Sequence, residues 1–144
     1  INVSNAVGIN KVILENKNYN KELKIIHISS VASIEATASV GYSMVKASLN
    51  AYAKTLSKSL IKKNIYVHCI LLGAFEYDNN AFERLKIKNK KVYNKFIKQK
   101  LPRNKIANGE QFLGLFDFIV SENGNPLAGN SVVADFSETN SFRF

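Results

Sequence analysis

The sequence predicts an α/β fold, a partial doubly wound parallel sheet of about three strands with helices flanking it. Three observations carry this. Short apolar, β-branched runs recur as "LKIIHISS", "NIYVHCILLG" and "NSVVADFS", and continuous rather than alternating hydrophobicity marks strands covered on both faces. Segments with apolar residues three and four positions apart lie between and around those runs, the pattern of amphipathic helices. Strands joined through helices need crossovers, which are right-handed and leave the strands parallel.

The elements follow in order. Residues 2 to about 17 carry Val3, Ala6, Val7, Ile9, Ile13 and Leu14 at helical spacing and end in the polar "ENKNYN", so a helix is expected there, with a turn at 18–22. "LKIIHISS", 23–30, reads as a strand, and "VASIEATASVG" as a loop directly after its end. From Tyr42 to about Lys62 the stripe Val45, Leu49, Tyr52, Leu56, Leu60 gives the clearest helix of the chain. A second covered strand follows in "NIYVHCILLG". After an irregular basic insertion, "GEQFLGLFDFIV" places Phe112, Leu115, Phe116 and Ile119 on one helical side, and "NSVVADFS" supplies a third strand.

At 144 residues and 46% hydrophobic composition the chain suits one domain, 1–144. No apolar run approaches the roughly 20 residues of a membrane span, and the start does not resemble a signal peptide. A soluble, cytoplasmic protein is therefore expected. The single cysteine, Cys69, sits in an apolar strand without a partner for a bridge, which predicts a buried thiol in a reducing compartment. The chain opens with helical periodicity already under way and its one methionine is Met44, so it looks like a piece of a longer protein. His27 and His68 lie inside predicted strands without carboxylates or cysteines at ligand spacing, and are expected to be satisfied core or edge histidines. No metal site is expected.

"GYSMVKAS", 41–48, places Tyr42 and Lys46 four apart on a helix, where side chains share a face. A free phenol titrates near pH ~10, too high for efficient proton exchange near neutrality. A cation at ~4 Å with an effective dielectric near ~20 favours a phenolate by about 4 kcal/mol before desolvation, or up to about three pKa units. The pair can thus form an acid/base group, although the same spacing also arises as an exposed tyrosine beside a solvated lysine. Ser30 strengthens the functional case. It closes a predicted strand twelve residues earlier, on the rim where parallel α/β sheets bind ligands.

"GYSMVKAS" preceded by "IIHISSVAS" resembles the short-chain dehydrogenase/reductase (SDR) family, whose signature is a serine at a strand end followed by Tyr-x-x-x-Lys opening the next helix. "INVSNAVG", "IYVHCILLGAF" and the closing stretch from "LPRNK" to "VVADFS" resemble further blocks in the family's order, so the similarity covers nearly the whole chain. It implies the C-terminal half of a Rossmann-type fold, and an oxidoreductase interconverting a ketone and an alcohol with NAD or NADP. By the same resemblance Tyr42 exchanges a proton with the substrate oxygen, while Lys46 favours its ionised form and binds the nicotinamide ribose. Ser30 orients the substrate oxygen, and Asn2 helps hold a water linking Lys46 to solvent. Gly73, Ala74 and Tyr77 fall where the family contacts the nicotinamide.

The match has gaps. None of the seven glycines lies in a phosphate-cradling turn after a first strand. Leu72 stands for the family's proline, His68 for a common asparagine, Tyr77 for a threonine, and Asp135-Phe136-Ser137 for Asp-Gly-Gly. A non-catalytic relative serving as an oligomerisation or binding module is the alternative, since the first helix and the Tyr42–Lys62 helix match those that pair between subunits in many members. A homo-oligomer is expected on that ground.

Of the twenty Lys and Arg residues, ten lie between Arg84 and Lys105, a stretch without Asp or Glu. It falls where the family places its variable substrate lid, and Val92, Phe96 and Ile97 offer a helix an apolar side. A solvated lysine-rich helix is one outcome; a lid attracting an anionic substrate, such as a nucleotide-linked sugar or an acyl phosphopantetheine carrier, is another. Nucleic acid is the weaker third, because the chain has three arginines and no recognition motif accompanies the charge.

Overall fold

A computed structural model describes residues 2–16 and 22–141. The turn expected at 18–22 lies outside the described residues apart from Glu22. Helix α1 is Asn2–Glu15, and strand β1, Leu23–Ser30, leads through a 3-10 turn, Val31–Ser33, into helix α2, Val40–Leu60. Strand β2, Ile65–Leu72, is followed by the short strand β3, Phe75–Glu76, and by helices α3, Ala81–Lys88, and α4, Lys90–Lys100. Strand β4, Ala107–Asn108, helix α5, Leu113–Val120, and strand β5, Ser131–Ala134, complete the order.

β2 is the central strand of a three-stranded parallel sheet, β1-β2-β5. It pairs with β1 from Leu23 opposite Ile65 to Ser30 opposite Leu72, and with β5 from Cys69 opposite Ser131 to Leu72 opposite Ala134. Strand side chains alternate between faces, so the odd residues Val67, Cys69 and Leu71 join Ile25, Ala53 and Leu60 under α1 and α2. The even residues Ile70 and Leu72 meet Phe112 and Ile119 on the other face. Each fully covered Ile or Leu contributes about 1.5–3 kcal/mol, which makes β2 the strongest element. The outer edge of β1 has no strand partner among the described residues. A cavity of about 500 Å³, lined by Ile9, Ile13, Ile26, Ile28 and Lys46, lies beside that edge.

α2 begins where the Ser39 hydroxyl accepts from the Tyr42 amide, and it buries Leu49, Ala53, Ser57 and Leu60. A 3-10 turn, Ile61–Lys63, follows it and is capped by Asn64, whose left-handed φ of 58° turns the chain into β2. The expected third helix is split: Gly109–Phe112 is a 3-10 turn with an Asn108 capping box, and only Leu113–Val120 is α-helical. The last strand stops at Ala134, because Phe136 and Ser137 take left-handed φ values of 52° and 66°.

The insertion is helical rather than irregular. Asn80 caps α3 through the Phe82 and Glu83 amides. Asn89 both ends α3, donating its amide to Leu85 O, and starts α4 by accepting from the Val92 amide at 3.1 Å. The inner side of α4 also differs from expectation. Tyr93 is 6% exposed and Val92 is 48% exposed, because the Tyr93 hydroxyl donates to Glu76 on β3 while its ring fills the interior. Phe96 still packs inward, its ring 5.1 Å from that of Phe82. Lys86 binds the other oxygen of Glu76. This clasp holds the Glu76 carboxyl below its usual range, chiefly through Lys86, while burial and then Glu76 push the Tyr93 phenol up to about 12.

The two histidines differ. His27 is buried and accepts from Asn10 Nδ2 at 3.1 Å, with Tyr52 completing the group at 3.1 Å from the same nitrogen. His68, expected to be satisfied, is fully buried, and neither ring nitrogen has a partner among the described residues. It lies on the α5 face of β2, the face of Ile70 and Leu72. Burial depresses both imidazoles, and Lys24 adds to the effect at His68.

Two predictions follow from these contacts. A histidine whose folded pKa is depressed stabilises the fold above its unfolded value, and that contribution falls away as pH drops below 6.5 toward the folded pKa. Denaturant midpoints should therefore decrease between pH ~7.5 and ~5, and His68→Leu should flatten part of that slope; an unchanged slope would remove His68 from the cause. Replacing Glu76 by Ala or Tyr93 by Phe should speed amide hydrogen exchange in α3 and α4 by about tenfold or more while leaving β2 protected.

Candidate active site

The end of β1 and the first two turns of α2 build the site. Ser29 is 3% exposed on the α2 face, and its hydroxyl donates to the backbone oxygen of Lys46 at 3.2 Å. In return Lys46 Nζ donates to Ile28 O at 3.0 Å. The ammonium lies 5.7 Å from the centroid of the Tyr42 ring, which is cation–π range. Tyr42 is 44% exposed, so the phenol is reachable from solvent. Burial lowers the Lys46 pKa from its ordinary value, with a small opposing contribution from Cys69.

Ser30 lies at the tip of β1 in register with Leu72, the residue before Gly73. Its oxygen accepts from the Ala32 amide at 3.2 Å and caps the 3-10 turn. A serine hydroxyl has a proton and a second lone pair besides. Gly73 is sterically required: a Cβ there would stand 2.8 Å from Asp135 Cα and 2.7 Å from Glu138 Oε2. Tyr77 is 57% exposed, its ring against Gly109. It borders a largely apolar cavity of about 430 Å³, whose walls include Ile28, Leu72, Phe75, Phe112 and Phe116. Asn2 is the first residue of α1, and its side chain lies outside the described residues.

Not every expected donor is open. The Ala74 amide already donates to the Glu138 carboxylate at 2.5 Å, and burial raises the pKa of that carboxyl. Glu138 has no signature in the sequence, since the contact spans 64 positions. Asn50 was also missed. Its amide nitrogen donates to Ser33 Oγ at 2.7 Å, Ser33 Oγ donates to Ser30 O at 2.6 Å, and Cys69 Sγ donates to Asn50 Oδ1 at 3.4 Å. This chain ties the turn after Ser30 to α2 and β2. A signal did exist: Asn50 lies four residues after Lys46, on the side of α2 that faces the sheet. Cys69 itself is 2% exposed and burial pushes its thiol up to about 11, so it is not a nucleophile. Among the described residues no group of three His, Cys, Asp or Glu is placed to hold a metal ion. No helix among them is long and apolar enough to cross a membrane.

A parallel sheet with helices on both faces, ending in a serine beside an exposed phenol with an ammonium one turn later, defines a Rossmann-like α/β class of fold. Residues 1–136 match the family described as enoyl-(acyl carrier protein) reductase, and the chain belongs to the short-chain dehydrogenase/reductase family. It is 28% identical over 110 residues to a 3-oxoacyl-(acyl-carrier-protein) reductase of Aquifex aeolicus, an alignment covering 76% of this chain and 42% of the relative. It is 25% identical over 134 residues to dehydrogenase/reductase SDR family member 4 of Sus scrofa, covering 92% of this chain and 47% of that one. The chain thus spans about half the length of these relatives.

Solved structures share the fold. The L-sorbose reductase of Gluconobacter frateurii, solved with NADPH and L-sorbose, superposes with a TM-score of 0.85 at 22% identity over 99% of this chain and 57% of that one. The Pseudomonas aeruginosa RhlG/NADP complex gives 0.79 at 20% identity over 94% and 54%.

Because Asn50 is the junction of the chain beneath Ser30, Asn50→Ala should cost roughly 1–3 kcal/mol by leaving Ser33 and Cys69 without their partner. Chemical denaturation measures this. A loss below a few tenths would show that the contacts carry no weight.

Proposed function

We propose that this chain is the catalytic portion of an NAD(P)-dependent oxidoreductase that interconverts a ketone and an alcohol. The observation that carries the proposal is the Lys46 ammonium 5.7 Å from the ring of an exposed Tyr42, on a helix latched to the strand that ends in Ser30. In this assignment Tyr42 gives its phenolic proton to the carbonyl oxygen, or takes the proton from the alcohol. Lys46 sets a positive charge beside that phenol, and Ser30 donates a hydrogen bond that orients the substrate oxygen. A nicotinamide cofactor supplies or accepts the hydride when bound.

The residues present fit such a cofactor in part. Lys46 has three N–H donors and spends one on Ile28 O, leaving others for ribose hydroxyls. The apolar cavity beside Leu72, Phe75 and Tyr77 suits a flat ring. Gly73 leaves the turn open to close approach, whereas Ala74 serves only if Glu138 releases its amide. A phosphate-gripping turn would come from residues outside this sequence, and the open edge of β1 supports a continuation of the sheet there.

The segment 84–105 acts as a substrate lid in this proposal. Its helices rise from β3 and β4, which pair with each other next to the end of β2. Lys98 and Lys100 line a cavity of about 380 Å³ together with Glu35 and Thr37, which belong to the loop between Ser30 and Tyr42. Glu138 lines it as well, so the two lysines meet two carboxylates, and the case for a partly anionic substrate rests on the exposed lysines of α4 rather than on this cavity. A homo-oligomer is supported by the exposure of Ile9 at 60%, Val12 at 59% and Met44 at 64% on α1 and α2.

Tyr42→Phe in the full-length protein should lower turnover at least about a hundredfold with little change in fold, followed by nicotinamide absorbance with a panel of ketones and alcohols. A rate equal to that of the unaltered protein would take Tyr42 out of the mechanism.

A further inference from the structure

Residues 135–141 leave β5 and cross the strand ends that form the rim of the site. The turn is made by Phe136 and Ser137, two consecutive residues held at left-handed φ values of 52° and 66°. Residues with a Cβ adopt that conformation against steric resistance, a bulky one most of all. Glu138 then reaches over Gly73 to take the Ala74 amide at 2.5 Å, and the Asn140 amide donates to Glu35 at 3.1 Å. The Ser141 hydroxyl ends the crossing on Ile34 O at 3.4 Å. The segment thus runs from the end of β5, past the end of β2, to the loop after β1.

Its closed position is weakly held. The Phe136 ring packs 5.6 Å from that of Phe112 and under Arg103, but the other ties are polar, and the segment is half-buried or exposed throughout. Segments with few apolar contacts are the ones that open locally. Closure also crowds carboxylates. Glu35 Oε2 is buried without a partner among the described residues. Burial raises the pKa of Glu138 from its ordinary 4.5, the Ala74 amide opposes that rise, and Asp135 and Glu35 add to it. Lys98 and Lys100 of α4 line the cavity that Glu35 and Glu138 share, and Arg103 and Lys105 line the one beside Asp135 and Ala74. None of these four cations forms an ion pair with Glu138 among the described residues.

The Ala74 amide has a single proton, so the Glu138 carboxylate and a carboxamide oxygen compete for it. We propose that residues 135–141 are a strap that closes the nicotinamide side of the site in the free protein, with Glu138 on the Ala74 amide in competition with the cofactor's carboxamide, and that the strap swings out when the cofactor binds. The proposal rests on the oxidoreductase reading above. It makes Glu138 a brake on cofactor binding rather than a catalytic residue. Closure and pH are linked, because a closed strap that raises the Glu138 pKa holds a proton more tightly than an open one with Glu138 in water. Acid therefore favours closure, which weakens as pH rises from 4.5 through the raised value.

The test titrates NADH and NADPH into the cofactor-free full-length protein by calorimetry and follows the Ala74 amide by nitrogen-15 NMR, which needs no turnover. Glu138→Ala leaves the amide without its acceptor. It should bind nucleotide at least about threefold more tightly, since the apparent dissociation constant is the intrinsic one divided by the open fraction. Its Ala74 amide should exchange hydrogen about tenfold or more faster. Glu138→Gln keeps an acceptor of the same shape without the charge, so it should bind no more tightly than the unaltered protein. Nucleotide affinity of the unaltered protein should rise between pH ~5 and ~7.5, and rise less in Glu138→Gln. Circular dichroism shows whether the variants keep the fold. Equal affinity in all three proteins, or an Ala74 amide indifferent to Glu138→Ala, would overturn the strap and leave the oxidoreductase reading intact. Failure of Glu138→Ala to bind either nucleotide, with its Ala74 amide released, would defeat that reading and the strap's role with it.

Discussion

Lys46 is held at both ends by consecutive residues of one strand. Its backbone oxygen accepts from Ser29 and its side chain reaches the carbonyl of Ile28, so α2 can neither rotate nor slide against β1 without breaking a hydrogen bond. Leu49 and Ala53, both buried, press the following turn onto the sheet. Once the rotation of α2 is fixed at Lys46, the 3.6-residue repeat fixes Tyr42 one turn earlier, on the same face and nearer the strand end. Phenol, ammonium and Ser30 are thus placed by backbone geometry rather than by contacts among themselves.

The C-terminal segment secures the same rim from the other side. Because Gly73 has no Cβ, the turn after β5 closes tightly enough for Glu138 to take the Ala74 amide. Asn140 then reaches Glu35, in the loop after Ser30, through its backbone amide at 3.1 Å. Asp135 is consumed by its own turn, accepting from Ser137 and Thr139. Carboxylates are acting here as staples between segments distant in sequence. Burial, with a further contribution from the neighbouring Asp135 and Glu35, disfavours the charged form of Glu138.

The parts of this architecture legible in the sequence are those set by periodicity. The runs at 23–30 and 65–72 are covered strands because they are apolar without alternation, and α2 follows from a stripe five residues long in its repeat. Tyr42 and Lys46 were legible for the same reason, being one turn apart. The insertion was legible in part: Val92, Phe96 and Ile97 offered one helix, but the split into α3 and α4 comes from asparagines, since Asn80 and Asn89 supply the caps. The burial of Tyr93 over Val92 depends on Glu76, which is 17 residues away, a separation that leaves no local pattern in the sequence. Asn50 and Glu138 were hidden likewise, since hydrogen bonds between distant segments leave no periodic trace. His68 shows the converse limit: its strand position was readable, but the absence of any partner is a property of packing.

Partial burial of Lys46 acts on the site in two opposing ways. Removing water from the ammonium disfavours its charged form, which is why its pKa falls. The same loss of water lowers the local dielectric, so whatever charge it carries acts more strongly on the phenol one turn away. The bond to Ile28 O moderates the first effect, because a carbonyl replaces part of the lost hydration without adding a counter-charge that would neutralise the field. A carboxylate in that position would have held the ammonium more firmly and cancelled most of its influence on Tyr42. A neutral acceptor from the strand backbone keeps the cation both in place and electrostatically available, as the proposed proton exchange at the phenol requires.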